Sequence, residues 1–201
     1  MAKRDTIAGA ILCGGKARRL GGTPKGLITT ADGQTIIEYL LGEFAQAGIT
    51  DPVLLASEST DYGWLKREIL PDRIAGLGPL GGIGAALAHF QGKAEAVLFA
   101  TCDMPRITAA ELSKLMAVFR ESTAQIVLAE TCSIGWHPLC SVVHNGMIDQ
   151  VDEALNSGKL AVHRLWRELG AEPALFDEEE RFVNINTPED LLRLRGGSEE
   201  H

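Results

Sequence analysis

The sequence is short of positive charge: 19 lysines and arginines stand against 27 aspartates and glutamates, for a net charge of −8. Nucleic-acid affinity rests on clustered cations that displace counter-ions from a phosphate backbone, so an acidic chain is a poor general nucleic-acid binder. Long apolar runs are also missing, and none approaches the roughly 20 residues that cross a bilayer. The basic start MAKRDTIAG leads into no apolar signal-peptide core. The expectation is a cytoplasmic protein with neither a membrane nor a nucleic acid as partner. Cysteines are few, at 13, 102, 132 and 140, and none forms a C-x-x-C pair, which argues against zinc and thioredoxin-type motifs. Cys13 and Cys102 sit near the ends of apolar runs, where a cysteine acts as a small buried hydrophobe. No G-x-x-x-x-G-K-[ST] segment follows the first apolar run, which removes the P-loop reading.

What is present is 45% apolar residues over 201 positions, enough for one ordinary globular core. Residues 6–13, TIAGAILC, read as a first strand, and 51–56 as a second. AEAVLFATCD, 94–103, is the most apolar strand, expected in mid-sheet and buried on both faces. Further strands are expected near 125–130 and 139–143, with a short late one at FVNIN, 182–186. Helical spacing places Ile36, Ile37, Leu40, Leu41 and Phe44 on one stripe. A weaker helix is expected at 62–68, residues 76–90 read as a glycine-rich turn entering a helix, and further helices are expected from Thr108 to about Arg120, near 145–156 and near 161–169. Thr108 with Glu111 forms a capping box, and Thr187, Pro188 and Asp190 carry the signature of a last helix start. Alternating strands and helices predict an α/β fold: a mostly parallel, mixed sheet with helices on both faces. An antiparallel pair is expected within 130–180. One domain is expected over 1–195, with a frayed tail at 196–201.

Two features carry chemistry. ILCGGKARRLGGTPKG, residues 11–26, is glycine-rich and holds Lys16, Arg18, Arg19 and Lys25 with no acid among them. Gly14 and Gly15 let backbone N–H groups approach an anion, while Arg19 and Lys25 neutralise phosphate oxygens. The loop follows the carboxyl end of a strand, where open α/β sheets bind ligands. A plain solvated loop is the competing reading, and four cations without an acid in an acidic protein weigh against it. Gly76, Gly78 and Gly81 match G-x-G-x-x-G, but alone this dinucleotide fingerprint is weak. The second feature is TCDMP, where Asp103 leaves a strand end just ahead of Pro105. Its carboxylate either caps a turn or holds Mg²⁺, which binds one or two carboxylates plus ligand phosphates. The neighbouring phosphate-type loop favours the metal.

LCGGKARRLGGTPKG resembles the L-x-G-G-x-(S/A)-R-R-M-G-x-x-K signature of small nucleotidyltransferases, and within them the molybdenum cofactor guanylyltransferase (MobA) family. GPLGGI, TCDMP, HPL at 137–139 and VNINTPEDL at 183–191 extend the resemblance across nearly the whole chain. It implies a GT-A-like, nucleotide-diphospho-sugar transferase architecture. It implies transfer of GMP from Mg·GTP to the phosphate of molybdopterin, with release of pyrophosphate. By the same resemblance, Leu12, Cys13, Gly14 and Gly15 meet the nucleotide, and Arg19 and Lys25 serve its phosphates. Asp72 recognises guanine or ribose, Asp103 binds Mg²⁺, and Asn186 lies near the metal and acceptor. His137, Pro138 and Asn184 are implied acceptor contacts. Trp136 and Trp166 either stack on the pterin or pack in the core. The chain departs from the family with Cys13 where alanine is frequent, Ala56 where asparagine is frequent beside the base, and Leu160 where a polar residue is expected.

Molybdenum enzymes or their insertion proteins are implied receivers of the product. Three other functions stand beside this one: a cytidylyltransferase on molybdopterin, a nucleotidyltransferase on a sugar or polyol phosphate, and a GTP-responsive binding protein that delivers cofactor without chemistry. A metal carboxylate at a strand end argues for turnover.

Overall fold

The computed structural model describes residues 6–14, 23–30, 32–56, 62–71 and 77–194. Among them the strands are β1 (Ile7–Leu12), β2 (Val53–Leu55), β3 (Ile69–Leu70), β4 (Ala96–Thr101), β5 (Ile126–Thr131), β6 (Gly135–His144) and β7 (Glu172–Phe176). The helices are α1 (Ile36–Gln46), α2 (Pro79–Phe90), α3 (Ala109–Glu121), α4 (Ile148–Asn156), α5 (Val162–Glu168) and α6 (Pro188–Leu194). The strands form one sheet in the order β3-β2-β1-β4-β6-β5-β7. β6 runs antiparallel to both of its neighbours, β4 and β5, and all other pairings are parallel. The expected mixed α/β sheet is therefore what forms. Reversal of β6 brings its first residues, Gly135–Pro138, to the edge where β4 and β5 end.

Alternation along the strands builds two cores, because successive side chains point to opposite faces. Ile11, Cys13, Leu98, Ala100 and Cys102 face Ile36, Leu40 and Phe44 of α1 and Leu112, Leu115 and Phe119 of α3. Ala10, Leu12, Val97 and Phe99 face Leu80, Ile83 and Leu87 of α2, Val151 of α4 and Trp166 of α5. All six residues of β4 are buried, as a mid-sheet strand covered on both sides requires. No described helix is long and apolar enough to cross a membrane.

Local caps set the helix starts. The Thr35 hydroxyl accepts from Glu38 N, and the Glu38 carboxylate accepts from Thr35 N at 2.9 Å. Thr108 N donates to Glu111 Oε2 at 2.8 Å in the expected box. Glu43 of α1 accepts from Ala109 N at 2.7 Å, so α1 also caps α3. Each such cap satisfies a backbone donor that the helix itself leaves unpaired.

Two expected elements are corrected. The helix expected at 62–68 is a single turn, Gly63–Leu65, ended by Lys66 at φ 52°, and the chain then pairs with β2 as β3. FVNIN is not a strand: residues 179–182 form a short turn of helix, and Ile185 N donates to the loop carbonyl of Asp103 rather than to a ladder. The edge strand lies earlier, as β7, with sequence EPALF. A proline is tolerated there because an edge strand has one side free of ladder bonds.

Candidate active site

β1 and β4 lie side by side, with Leu12 opposite Thr101. Both chains extend the sheet by one residue: Cys13 N donates to Leu55 O at 2.9 Å, and Cys102 N to Leu12 O at 3.0 Å. The next residues leave the sheet at its carboxyl edge. Leu12 and Cys13 keep their side chains buried, so only their backbone faces that edge. Gly14 is exposed, and a Cβ there would meet nothing within 4 Å. Hydrogen bonding to Cys13 and burial push the Cys102 thiol well above its ordinary pKa. Cys102 is thus a packing residue rather than a nucleophile, since the thiolate is the reactive form.

Lys25 opens a one-turn helix, Lys25–Leu27, directly after Pro24. The turn is seated by Gly26: a Cβ on it would stand 2.8 Å from Tyr62 Oη and 3.1 Å from Cys102 Sγ. Only glycine permits this approach. The buried Tyr62 hydroxyl donates to Cys13 O at 3.2 Å. One phenol therefore holds both the strand β1 exit and the Lys25 turn.

Asp103 is fixed by its own turn. Its N–H donates to Thr101 Oγ1 at 3.2 Å, and Met104 N donates to Thr101 O at 3.1 Å. Its carbonyl accepts from Ile185 N at 2.8 Å, which brings Asn186 alongside. The N–H groups of Asn186 and Thr187 both donate to Asp190 Oδ2, at 2.9 and 2.8 Å, and Asp190 N returns a bond to Thr187 Oγ1. The cap that starts α6 thus also shapes the backbone at Asn186.

The three side chains meet. Lys25 Nζ lies 2.9 Å from Asp103 Oδ1 and donates to Asn186 Oδ1 at 2.8 Å. The side chains of Lys25 and Asp103 are 12% and 32% exposed. A cation is therefore held between a carboxylate and a carboxamide oxygen. Oxygen donors of this kind suit hard cations such as Mg²⁺, and the ammonium stands where such an ion's charge is wanted. The residues fit a divalent metal on that observation.

The structure brings Leu12, Cys13, Gly14, Lys25, Asp103 and Asn186 to this edge. Gly15, Arg19 and Asp72 lie outside the described residues. Asn184 is exposed two positions before Asn186. His137, which precedes the strand expected at 139–143, belongs to β6 and is 3% exposed. Its Nε2 lies 2.9 Å from Thr131 Oγ1, its ring centroid is 4.9 Å from that of Phe182, and burial lowers its pKa. Pro138 is half-buried, and its carbonyl accepts from Ser141 Oγ at 3.2 Å and Trp166 Nε1 at 3.0 Å. Trp166 is wholly buried, which places it in the core, whereas Trp136 is half-buried under the Arg167 guanidinium, 5.3 Å from its ring centroid. Sequence reasoning missed Tyr62 and Gly26, whose roles rest on contacts with residues distant in the chain.

The chain matches the MobA-like NTP transferase domain over residues 9–173. It is 32% identical over 216 residues to a probable molybdenum cofactor guanylyltransferase of Methanothermobacter thermautotrophicus, covering 95% of this chain and 99% of that one. It is 30% identical over 192 residues to the probable molybdenum cofactor guanylyltransferase of Flavobacterium johnsoniae, covering 94% and 97%. Its fold is similar to the crystal structure of molybdopterin-guanine dinucleotide biosynthesis protein A from Archaeoglobus fulgidus, with a TM-score of 0.78, 24% identity, and 94% and 97% of the chains covered. The glycine exit from β1, Lys25 and Asp103 thus lie in a chain that belongs to the MobA-like NTP transferase family, a nucleotidyltransferase with the nucleotide-diphospho-sugar transferase fold.

Proposed function

We propose that the protein transfers GMP from Mg·GTP to the phosphate of molybdopterin, forming the guanine dinucleotide cofactor and releasing pyrophosphate. One observation carries this reading: the Lys25 ammonium, the Asp103 carboxylate and the Asn186 carboxamide share one hydrogen-bonded cluster at the end of β1 and β4. Phosphate charge and metal charge are handled at the same point. The names of the relatives support molybdopterin as the acceptor and GTP as the donor.

The acceptor is a phosphate monoester, already anionic near neutral pH, so no strong general base is required. One of its oxygens forms a bond to the α-phosphorus of GTP, and the bond from that phosphorus to the bridging oxygen breaks. Pyrophosphate leaves with the electron pair. The obstacle is an anion approaching an anion, so positioning and charge neutralisation carry the rate. The backbone at the β1 exit meets the triphosphate; Cys13 N already donates to Leu55 O, so donation to phosphate falls to Gly14 and Gly15. Lys25 and Arg19 neutralise the departing pyrophosphate. Asp103 and Asn186 would hold a magnesium ion, which would supply positive charge against the reacting phosphates. Asp72 contacts guanine or ribose, and Asn184 and Pro138 lie toward the acceptor. His137 acts from behind, as a neutral packing residue of β6.

The free thiols of all four cysteines accord with a reducing cytoplasmic setting. Molybdenum enzymes or insertion proteins would then receive the product. Pyrophosphate release, measured with each nucleoside triphosphate with and without molybdopterin, tests the proposal. Release is expected with GTP and molybdopterin together. Release with CTP instead reassigns the base, and no release with any triphosphate favours the cofactor-delivery reading.

A further inference from the structure

The geometry points to a second role for Lys25: it is the internal counter-cation of the metal position, and it makes divalent-metal binding depend on the nucleotide. The inference rests on the reading of Asp103 and Asn186 as the metal's protein ligands. The ammonium is bonded to Asp103 Oδ1 and Asn186 Oδ1 at 2.9 and 2.8 Å. Those are the two oxygens that a metal would take. A magnesium ion needs ligand oxygens at about 2.1 Å, and an ammonium bonded to the same pair cannot stay beside it. Repulsion between a divalent ion and an ammonium a few ångströms apart is strong in a partly desolvated site. Metal entry therefore requires Lys25 to leave.

The parts are divided accordingly. The backbones of Asp103 and Asn186 are held by groups other than Lys25. The Asp103 carbonyl accepts from Ile185 N at 2.8 Å, and Asp190 accepts from the N–H groups of Asn186 and Thr187. These bonds fix the two backbones, while the side-chain oxygens themselves are bonded to Lys25, so departure of the ammonium frees both oxygens at anchored chain positions. Lys25 instead carries its charge on a long four-carbon stem with free rotations, from a turn directly after Pro24. That side chain is only 12% exposed, so releasing it into water forfeits two charge-assisted bonds. A triphosphate offers replacement oxygens. The nucleotide draws Lys25 away, and the freed oxygens accept the metal. Linkage makes the effect reciprocal: whatever factor the nucleotide adds to metal affinity, the metal adds to nucleotide affinity.

The test is a Mn²⁺ titration of the full chain, followed by the electron paramagnetic resonance signal of free Mn²⁺, with no nucleotide and no molybdopterin present. Its outcome is thus independent of which triphosphate or acceptor the enzyme uses. Lys25→Met and Lys25→Gln, either of which suffices if the other fails to fold, are expected to bind Mn²⁺ about tenfold more tightly than the wild-type chain. Adding Asp103→Asn to the tighter variant abolishes the gain. In a second arm, read against a protein-free control for the Mn²⁺ that the nucleotide itself holds, saturating β,γ-imido-GTP tightens Mn²⁺ binding to the wild-type chain, and the Lys25 variants show a smaller increment. Cooperatively melting Lys25 variants that bind Mn²⁺ no better than the wild-type chain overturn the inference.

Discussion

The backbone N–H of Ile185 donates to the carbonyl of Asp103 at 2.8 Å, which stitches a late segment of the chain to the turn after β4. Through this bond the carboxylate at position 103 and the carboxamide at 186 reach one ammonium, that of Lys25. Elements far apart in sequence thereby share a single electrostatic point.

Lys25→Ala and Asp103→Ala are each expected to lower GMP transfer by about 10²–10³. Removing either group leaves developing phosphate charge unmatched. The Lys25–Asp103 pair is partly solvated, at 12% and 32% exposure, so urea denaturation should move by no more than about 1 kcal/mol. Wild-type turnover in either variant removes that residue from the mechanism.

Asp190→Ala removes the acceptor for two N–H groups, those of Asn186 and Thr187. Losing a cap of this kind costs about 1 kcal/mol, readable in urea. Transfer should also fall, by less than in Lys25→Ala, because Asp190 acts through Asn186. Full turnover at reduced stability would mean that the cap serves α6 alone.

Gly26→Ala places a methyl 2.8 Å from Tyr62 Oη. Overpacking of this sort costs about 1–3 kcal/mol. Tyr62→Phe removes the oxygen and its bond to Cys13 O, at a cost near 1 kcal/mol. The double variant should lose less than the two single costs combined, since phenylalanine removes the tightest contact, while those to the ring carbon at 3.0 Å and to Cys102 Sγ at 3.1 Å stay. Strict additivity in a double-mutant cycle contradicts the packing described.

His137 is buried, and burial holds its pKa below the ordinary value. In the unfolded chain a histidine takes up its proton near pH 6.5. The unfolded state therefore binds more protons between that value and the lower folded one, and stability rises with pH across this window. Stability is fully present above about pH 6.5 and is lost as the pH falls toward the folded value. Urea midpoints measured at successive pH values should show this slope, and His137→Leu should flatten it. An unchanged slope assigns the acid sensitivity to other groups.

Much of the fold was legible in local chemistry. β1 and β4 stand out as apolar runs, and Thr108 with Glu111 and Thr187 with Asp190 mark their helices by capping pattern alone. β7 was hidden because EPALF carries a proline and no β-branched residue. Its place depends on pairing with β5 in the order Val127 to Glu172 through Thr131 to Phe176. β6 read as starting late because its register breaks: Leu128 pairs with Ser141 but Ala129 with His137, so Pro138, Leu139 and Cys140 fall in a bulge. Such irregularity is set by partners and not by propensity. At the site, Lys25 and Asp103 were legible as charges at strand exits. The Tyr62 hydroxyl was not, because nothing near position 62 reveals a bond to Cys13.

The most direct measurement follows the α-phosphate. The enzyme is given GTP carrying heavy oxygen on the non-bridging oxygens of its α-phosphate, together with Mg²⁺ and molybdopterin, and the label is traced by mass spectrometry in a single turnover. The account predicts label in a guanine dinucleotide of the pterin, unlabelled pyrophosphate, and transfer slowed by about 10²–10³ in Asp103→Ala. Label released as free GMP, or carried to the pterin from CTP in preference to GTP, would contradict it.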